Sequence, residues 1–242
     1  MAVLCYHSVC DAWNSPLAMG TTDFGAQCAW LARRFRVVDL PTAVSLVDRR
    51  GLLPGRVATL TFDDGFADNF DNALPALRRS GLTGAVFVVA ATLDRGHGVD
   101  WVDDPPEFQL KTLTRAQIET MSDEGIHIGS HSLFHKDLTT LDYAECLEDL
   151  GTSKAILEEI VRRPVPYLAY PRGLWNDVVA KAAKAAGYLG AFSLPTGPEP
   201  VGPFSLPRVG IYRDNGSLQF KVKNLRAYQS ARTSRIYKAV RG

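Results

Sequence analysis

The 242-residue sequence predicts one α/β domain built on a parallel sheet of six to eight strands. Short apolar, β-branched runs alternate with longer amphipathic runs along most of the chain, which is the pattern of right-handed βαβ units. No repeat, low-complexity tract or linker divides it, so residues 1–242 read as a single domain with a basic C-terminal helix over about 215–242. Closure into a barrel would leave the sheet no edge, but periodicity does not separate a barrel from an open sheet. In both, sites gather at the C-terminal ends of the strands.

Residues 2–6 (AVLCY) give the first strand, and 23–34 (DFGAQCAWLARR) a helix with Asp23 as its N-cap. A strand at 35–38 (FRVV) precedes a helix at 41–51, opened by Pro41 and closed by Gly51. The run 57–62 (VATLTF) is a buried strand, 68–81 a helix ending on Gly81, and 84–90 (GAVFVVA) another buried strand. Residues 91–112 have no regular period and are expected to form a loop over one end of the sheet. His97 lies there between two glycines and is expected in solvent. A helix at 114–125 is capped by Thr114, a strand at 126–132 follows, and 141–163 is a long helix. Strand, helix and strand then occupy 166–171, 176–187 and 188–193, and a final strand falls near 206–212.

A formal net charge of +1 gives no electrostatic reason to expect nucleic acid as a partner. The basic stretch 220–242 is expected to be a solvated face, with peripheral contact to an anionic lipid, phosphate or partner as its alternative. The four cysteines form no Cys-x-x-Cys pair, which argues against a zinc knuckle or a thioredoxin-like site. The apolar run 84–93 is about half of a membrane span. The N-terminus carries no signal-peptide pattern, so a cytoplasmic location is expected.

Asp63 and Asp64 (TFDDG, 61–65) follow a buried strand, and His131 and His135 (HSLFH, 131–135) follow another. In a parallel sheet both segments open on one face. If residues 131–135 form a helical turn, the spacing of four sets both imidazoles on one side. Two histidines and a carboxylate suit Zn²⁺ or a similar divalent metal, with Co²⁺, Ni²⁺ and Mn²⁺ as other occupants. Successive extended residues point opposite ways, so one aspartate can ligate while its neighbour acts as general base on an activated water.

TFDDG (61–65), HSLFH (131–135) and YPRG (170–173), with the opening VLCYHSV (3–9), resemble the polysaccharide deacetylase family, also called the NodB-homology domain or carbohydrate esterase family four. The resemblance spans roughly residues 3–212. It implies a distorted (β/α) barrel of about seven parallel strands and metal-dependent removal of an N-acetyl group from an amino sugar. It implies Asp63 as general base, and Asp64, His131 and His135 as metal ligands. It also implies the backbone N–H of Arg172 as donor to the tetrahedral oxyanion. Tyr170 and Pro171 of that segment, with Trp101, are expected at the substrate.

The chain departs from the family pattern in two places. Ala169 stands where the family has the arginine that holds the catalytic base, and no histidine follows His135, so the family's late acid is missing. His7, just after the first strand, is the leading substitute to protonate the leaving amine. Its bland alternative is a strand-end histidine bonded to backbone. Arg208 stays charged and is a poor proton donor, so it is expected to orient Asp63 or to bind substrate. The expected substrate is an N-acetylated glycan, lipid-linked sugar or small glycoside. An O-acetyl esterase, a non-sugar amidohydrolase and an impaired carbohydrate-binding relative stay open as alternatives.

Overall fold

The computed structural model describes residues 3–47, 52–94, 98–195, 197 and 199–232. Strand β1 (Val3–Tyr6) leads into a small ribbon of β2 (Ser8–Val9) and β3 (Ala18–Met19). Helix α1 (Thr21–Arg34), β4 (Arg36–Val37) and α2 (Leu40–Leu46) follow. β5 (Val57–Phe62) passes through a π-helical turn, Asn69–Ala73, into α3 (Leu74–Arg79). Next come β6 (Ala85–Val88), α4 (Ala91–Asp94), α5 (Arg115–Asp123), β7 (His127–Ser130), α6 (Tyr143–Val161) and β8 (Tyr167–Ala169). The order ends with α7 (Asp177–Ala185), β9 (Gly190–Ser193), β10 (Leu206–Gly210), α8 (Ser217–Lys223) and α9 (Arg226–Arg232).

Parallel pairing runs β1–β10–β9–β8–β7–β6–β5, and β5 pairs back onto β1 from Val3↔Thr59 to Tyr6↔Phe62. That last ladder decides between open sheet and barrel: the seven strands close into a ring. β4 pairs with the start of β5 and stands outside the ring.

The two-residue period of each strand sorts its side chains into two layers. Val3, Val57, Ala85, Phe87, Tyr167, Ala169, Phe192 and Leu206 cluster with one another as the apolar part of the barrel interior. Their neighbours Leu4, Leu60, Phe62, Val86, Val88 and Ile128 pack instead against Phe24, Leu31, Leu77, Ile118 and Leu157 of the helices. Gly129 is demanded by this interior, because a Cβ there would lie 2.4 Å from the Phe87 ring.

Local chemistry moves some boundaries. α1 starts two residues before Asp23, and its N-cap Gly20 makes no side-chain bond. The Thr21 N–H is served from outside the helix by Asp11 Oδ1 at 2.8 Å, so Asp23 is left in the first turn, favourably placed at the positive helix end. Residues 91–112 are less irregular than their composition suggests, since they hold α4 and a bridge from Thr112 to Phe66. Thr114 caps α5 as expected, through a reciprocal bond pattern with Gln117. Gly51, His97 and residues 233–242 lie outside the described residues.

Candidate active site

At the end of β5 the inward side of the strand continues from Thr59 and Thr61 to Asp63. The chain then turns through Asp64 and Gly65, both left-handed, with φ of 69° and 67°. Asp63 forms a two-pronged ion pair with Arg208 of β10, at 2.6 Å (Oδ1–Nη1) and 2.7 Å (Oδ2–Nη2). Arg208 Nη1 lies 3.3 Å from Thr61 Oγ1, and its guanidinium sits over the Phe87 ring at 5.4 Å. Cys5 Sγ lies 3.3 Å from Asp63 Oδ2. Burial pushes the Asp63 carboxyl upward, but the Arg208 charge, aided by His131, outweighs it and holds the group well below the usual carboxylate range. Burial likewise opposes the charge on Arg208, and Asp63 more than restores it.

Asp64 faces the two histidines. Its Oδ1 lies 3.6 Å from His131 Nε2 and 3.3 Å from His135 Nε2. Burial raises its pKa, and the His135 bond with the His7 and His131 charges brings it below normal. The histidines do not converge on a helical turn. Residues 131–135 form a loop in which Ser132 and His135 are left-handed, with φ of 67° and 56°. That loop is pinned by His135 N–H to Ser132 Oγ (2.9 Å) and by Leu133 N–H to buried Asp149 Oδ1 (2.8 Å). Left-handed non-glycine residues cost about 1–3 kcal/mol each and persist where their surroundings over-determine them.

His131 Nδ1 lies 2.7 Å from the Ala169 carbonyl oxygen, which fixes Nδ1–H as donor and turns the Nε2 lone pair toward Asp64. The residues fit a divalent cation. One carboxylate oxygen and two imidazole nitrogens, all buried, lie within 4.8 Å of one another, with one tautomer already set. Burial, only partly offset by Asp63, lowers the His131 pKa to about 4.

That shift has a measurable sign. An unfolded histidine titrates near ~6.5, so between there and about 4 the unfolded chain carries a proton that the folded chain refuses. Stability of the metal-stripped protein should therefore fall as pH drops through this window, by on the order of 3 kcal/mol in all. Urea unfolding midpoints at pH 7 and 4.5 would measure it, and His131→Gln should flatten the dependence. Parallel profiles for the two proteins would refute the assignment.

A cavity of about 220 Å³ opens over these groups, lined among others by His7, Asp63, Asp64, Trp101, Arg172 and Tyr212. His7 sits between β1 and β2, and its buried Nδ1 makes no hydrogen bond among the described residues, so its ring nitrogen does not serve the backbone. Its loop is held from the π-turn: Asn69 Nδ2 donates to the His7 carbonyl at 2.7 Å, and Asp68 Oδ1 accepts the Val9 N–H at 2.9 Å. Arg172 has φ of 55° at the centre of the turn Pro171–Gly173. Gly173 follows at φ 74°, where a Cβ would lie 2.5 Å from the Leu194 backbone nitrogen.

Several expected roles change in this geometry. Tyr170 is fully buried, stacks on Trp175 and donates its hydroxyl to the Phe204 carbonyl at 2.9 Å, so it faces the helix layer rather than a ligand. The outward phase of β8 dictates this. Pro171 is buried and starts the turn. Arg208 is 1% exposed and paired with Asp63, so the side chain is turned to that carboxylate rather than open to the cavity. Trp101 lines the cavity, but its indole engages Asp64 and His135. Sequence reasoning passed over Cys5 and Tyr212. Strand parity flags Cys5, which is inward on β1. Gly210 flags Tyr212, whose hydroxyl lies 2.5 Å from where a Gly210 Cβ would stand.

Residues 51–191 match the family model described as Polysaccharide deacetylase. The Bacillus subtilis protein YxkH, a polysaccharide deacetylase by name, is 28% identical over 189 residues, covering 78% of this chain and 62% of YxkH. The peptidoglycan-N-acetylmuramic acid deacetylase PdaA of the same organism is 33% identical over 135 residues, covering 55% of this chain and 44% of PdaA. The chain thus matches less than two thirds of either relative's length, 62% of YxkH and 44% of PdaA. Among solved structures, the Streptococcus pyogenes deacetylase PplD in complex with acetate superposes with a TM-score of 0.79 at 20% identity, covering 93% of this chain and 98% of that one. At that identity the likeness speaks for the fold.

Proposed function

The chain belongs to the polysaccharide deacetylase family, and on that premise we propose that it hydrolyses the N-acetyl amide of an amino sugar, using a divalent cation held by Asp64, His131 and His135. The observation that carries the reading is the split environment of the adjacent aspartates. Asp63 is paired to a buried guanidinium, whereas Asp64 is turned to two imidazoles. A bound cation, best matched by zinc for this donor set, would supply Lewis acidity to water and to the acetyl carbonyl.

The protein's own groups divide the remaining work. Arg208 keeps Asp63 ionised and fixes its plane, so the carboxylate is oriented to take the proton of the attacking water. The Arg172 N–H, in its left-handed turn on the cavity wall, is the donor for the developing oxyanion. His7 lines the same cavity and is the group that returns a proton to the departing amine.

Acetate release tests the reading. Protein loaded with Zn²⁺ or Co²⁺ should release acetate from N-acetylated oligosaccharides, lose that activity after chelation, and regain it on adding metal back. An O-acetylated sugar is the comparator. Release that survives verified metal removal would exclude the cation's role. Loaded protein that acts only on the O-acetyl sugar would exclude the amide as substrate.

A further inference from the structure

His131 and His135 are held in different ways. The His131 ring has the Ala169 carbonyl behind it, whereas the His135 Nδ1 is buried and makes no hydrogen bond among the described residues. A ligating imidazole ordinarily donates its second ring nitrogen to a neighbouring group that fixes its orientation. At His135 the restraint comes instead on the face of the ring. The Trp101 indole lies over the imidazole, with ring centroids 4.7 Å apart and planes 23° apart.

The same indole reaches a second candidate ligand. Trp101 Nε1–H donates to Asp64 Oδ1 at 3.2 Å, the oxygen that both imidazole Nε2 atoms face. One side chain therefore restrains Asp64 through a hydrogen bond and His135 through a ring face. The loop carrying it is fastened on two sides: Arg172 Nη2 donates to the Trp101 carbonyl at 3.1 Å, and Trp13 Nε1 donates to the Asp104 carbonyl at 3.1 Å. Val99 and Val102 pack in the cluster of Trp13 and Phe66. Trp101 also lines a second cavity of about 240 Å³ beyond His135, so the indole stands between two cavities rather than lying open on one.

We propose that Trp101 is a positioning residue of the cation site, holding the Asp64 carboxylate and the His135 ring in ligating geometry before the cation enters. The proposal rests on the reading of Asp64, His131 and His135 as cation ligands. Because binding free energies are reciprocal, docking of residues 98–104 and cation binding strengthen each other.

Co²⁺ titration by calorimetry tests this with the wild type, Trp101→Phe and Trp101→Ala. Loss of a group that orients ligands weakens metal binding by about 10–100-fold. Trp101→Ala should show that loss. Trp101→Phe keeps a ring face without the N–H and should fall between. Cobalt-free melting should stay near wild type, while the rise in melting temperature at a fixed Co²⁺ concentration shrinks. In the wild type, Co²⁺ should slow amide exchange over 98–104. Equal Co²⁺ affinity in all three proteins would overturn the proposal and leave the cation reading intact. So would an affinity loss matched by equal loss of cobalt-free stability, which would make Trp101 merely a packing residue. A wild type that binds no Co²⁺ would overturn both.

Discussion

Asp63→Asn should lower the rate of acetate release by about 10²–10⁴-fold, the range a positioned general base contributes, while Co²⁺ binding stays within a few-fold of wild type. Asparagine keeps the shape of the side chain and still offers one oxygen to Arg208. It cannot take a proton from water. The separation of rate from metal affinity is the informative part, because Asp64 rather than Asp63 faces both histidine Nε2 atoms most closely, at 3.6 and 3.3 Å against 3.9 Å from Asp63 to His131. The measurement pairs single-turnover rates with metal content and circular dichroism on the same samples. A rate loss below tenfold would remove Asp63 as the base. Loss of bound cobalt would transfer it to the ligand set.

Arg208→Met should destabilise the protein by about 3–5 kcal/mol at neutral pH, because it leaves a buried carboxylate without its two-pronged partner. The pH dependence discriminates. In the wild type Asp63 is held below its unfolded pKa, so its pairing stabilises the fold at neutral pH and that contribution is lost as pH falls toward the folded value. Without Arg208, burial is the largest remaining influence and pushes the carboxyl up, so the variant loses stability as pH rises above the unfolded value near ~3.9. The gap between the two proteins should therefore be wider at pH 7.5 than at pH 4.5 in urea unfolding, because the variant's penalty shrinks between them while the wild-type contribution, lost only below about pH 4, is still present. Adding Asp63→Leu to Arg208→Met removes both charges and should recover part of the loss. A gap independent of pH would mean that Arg208 matters through packing on Phe87 rather than through charge.

Much of this architecture was legible in the sequence because its signals are local. The run 57–62 matches β5 in both limits, and Thr114 caps α5. Ring closure was not legible in periodicity, since the β1–β5 ladder joins segments over fifty residues apart and leaves no local period; it was legible through the motifs, whose family resemblance implies the seven-stranded barrel that the ladder closes. The candidate ligands were legible as residue types at strand ends, but the expected helical spacing of His131 and His135 gave way to a loop with two left-handed residues, which no spacing rule encodes. Arg208 is expected from the sequence to orient Asp63 or to bind substrate, because an arginine stays charged. What no local pattern encodes is the two-pronged pairing across 145 residues, which depends on the inward phase of β10 in the closed ring. Trp101 is expected at the substrate and does line the cavity, but the reach of its indole N–H to the buried Asp64 carboxylate is encoded by no local pattern in its loop.

The β1–β5 closure and the Asp63–Arg208 pair also bear on how the chain is made. β10 lies between β1 and β9, so the ring stays open, and Asp63 lacks its counter-charge, until the segment near residue 208 has left the ribosome. Domains generally fold as units, and pairings distant in sequence form slowly. Completion of the barrel and pairing of Asp63 with its counter-charge are consequently the same late event in biosynthesis. A nascent or C-terminally clipped chain would already carry TFDDG and HSLFH, yet would hold its two acids unsorted.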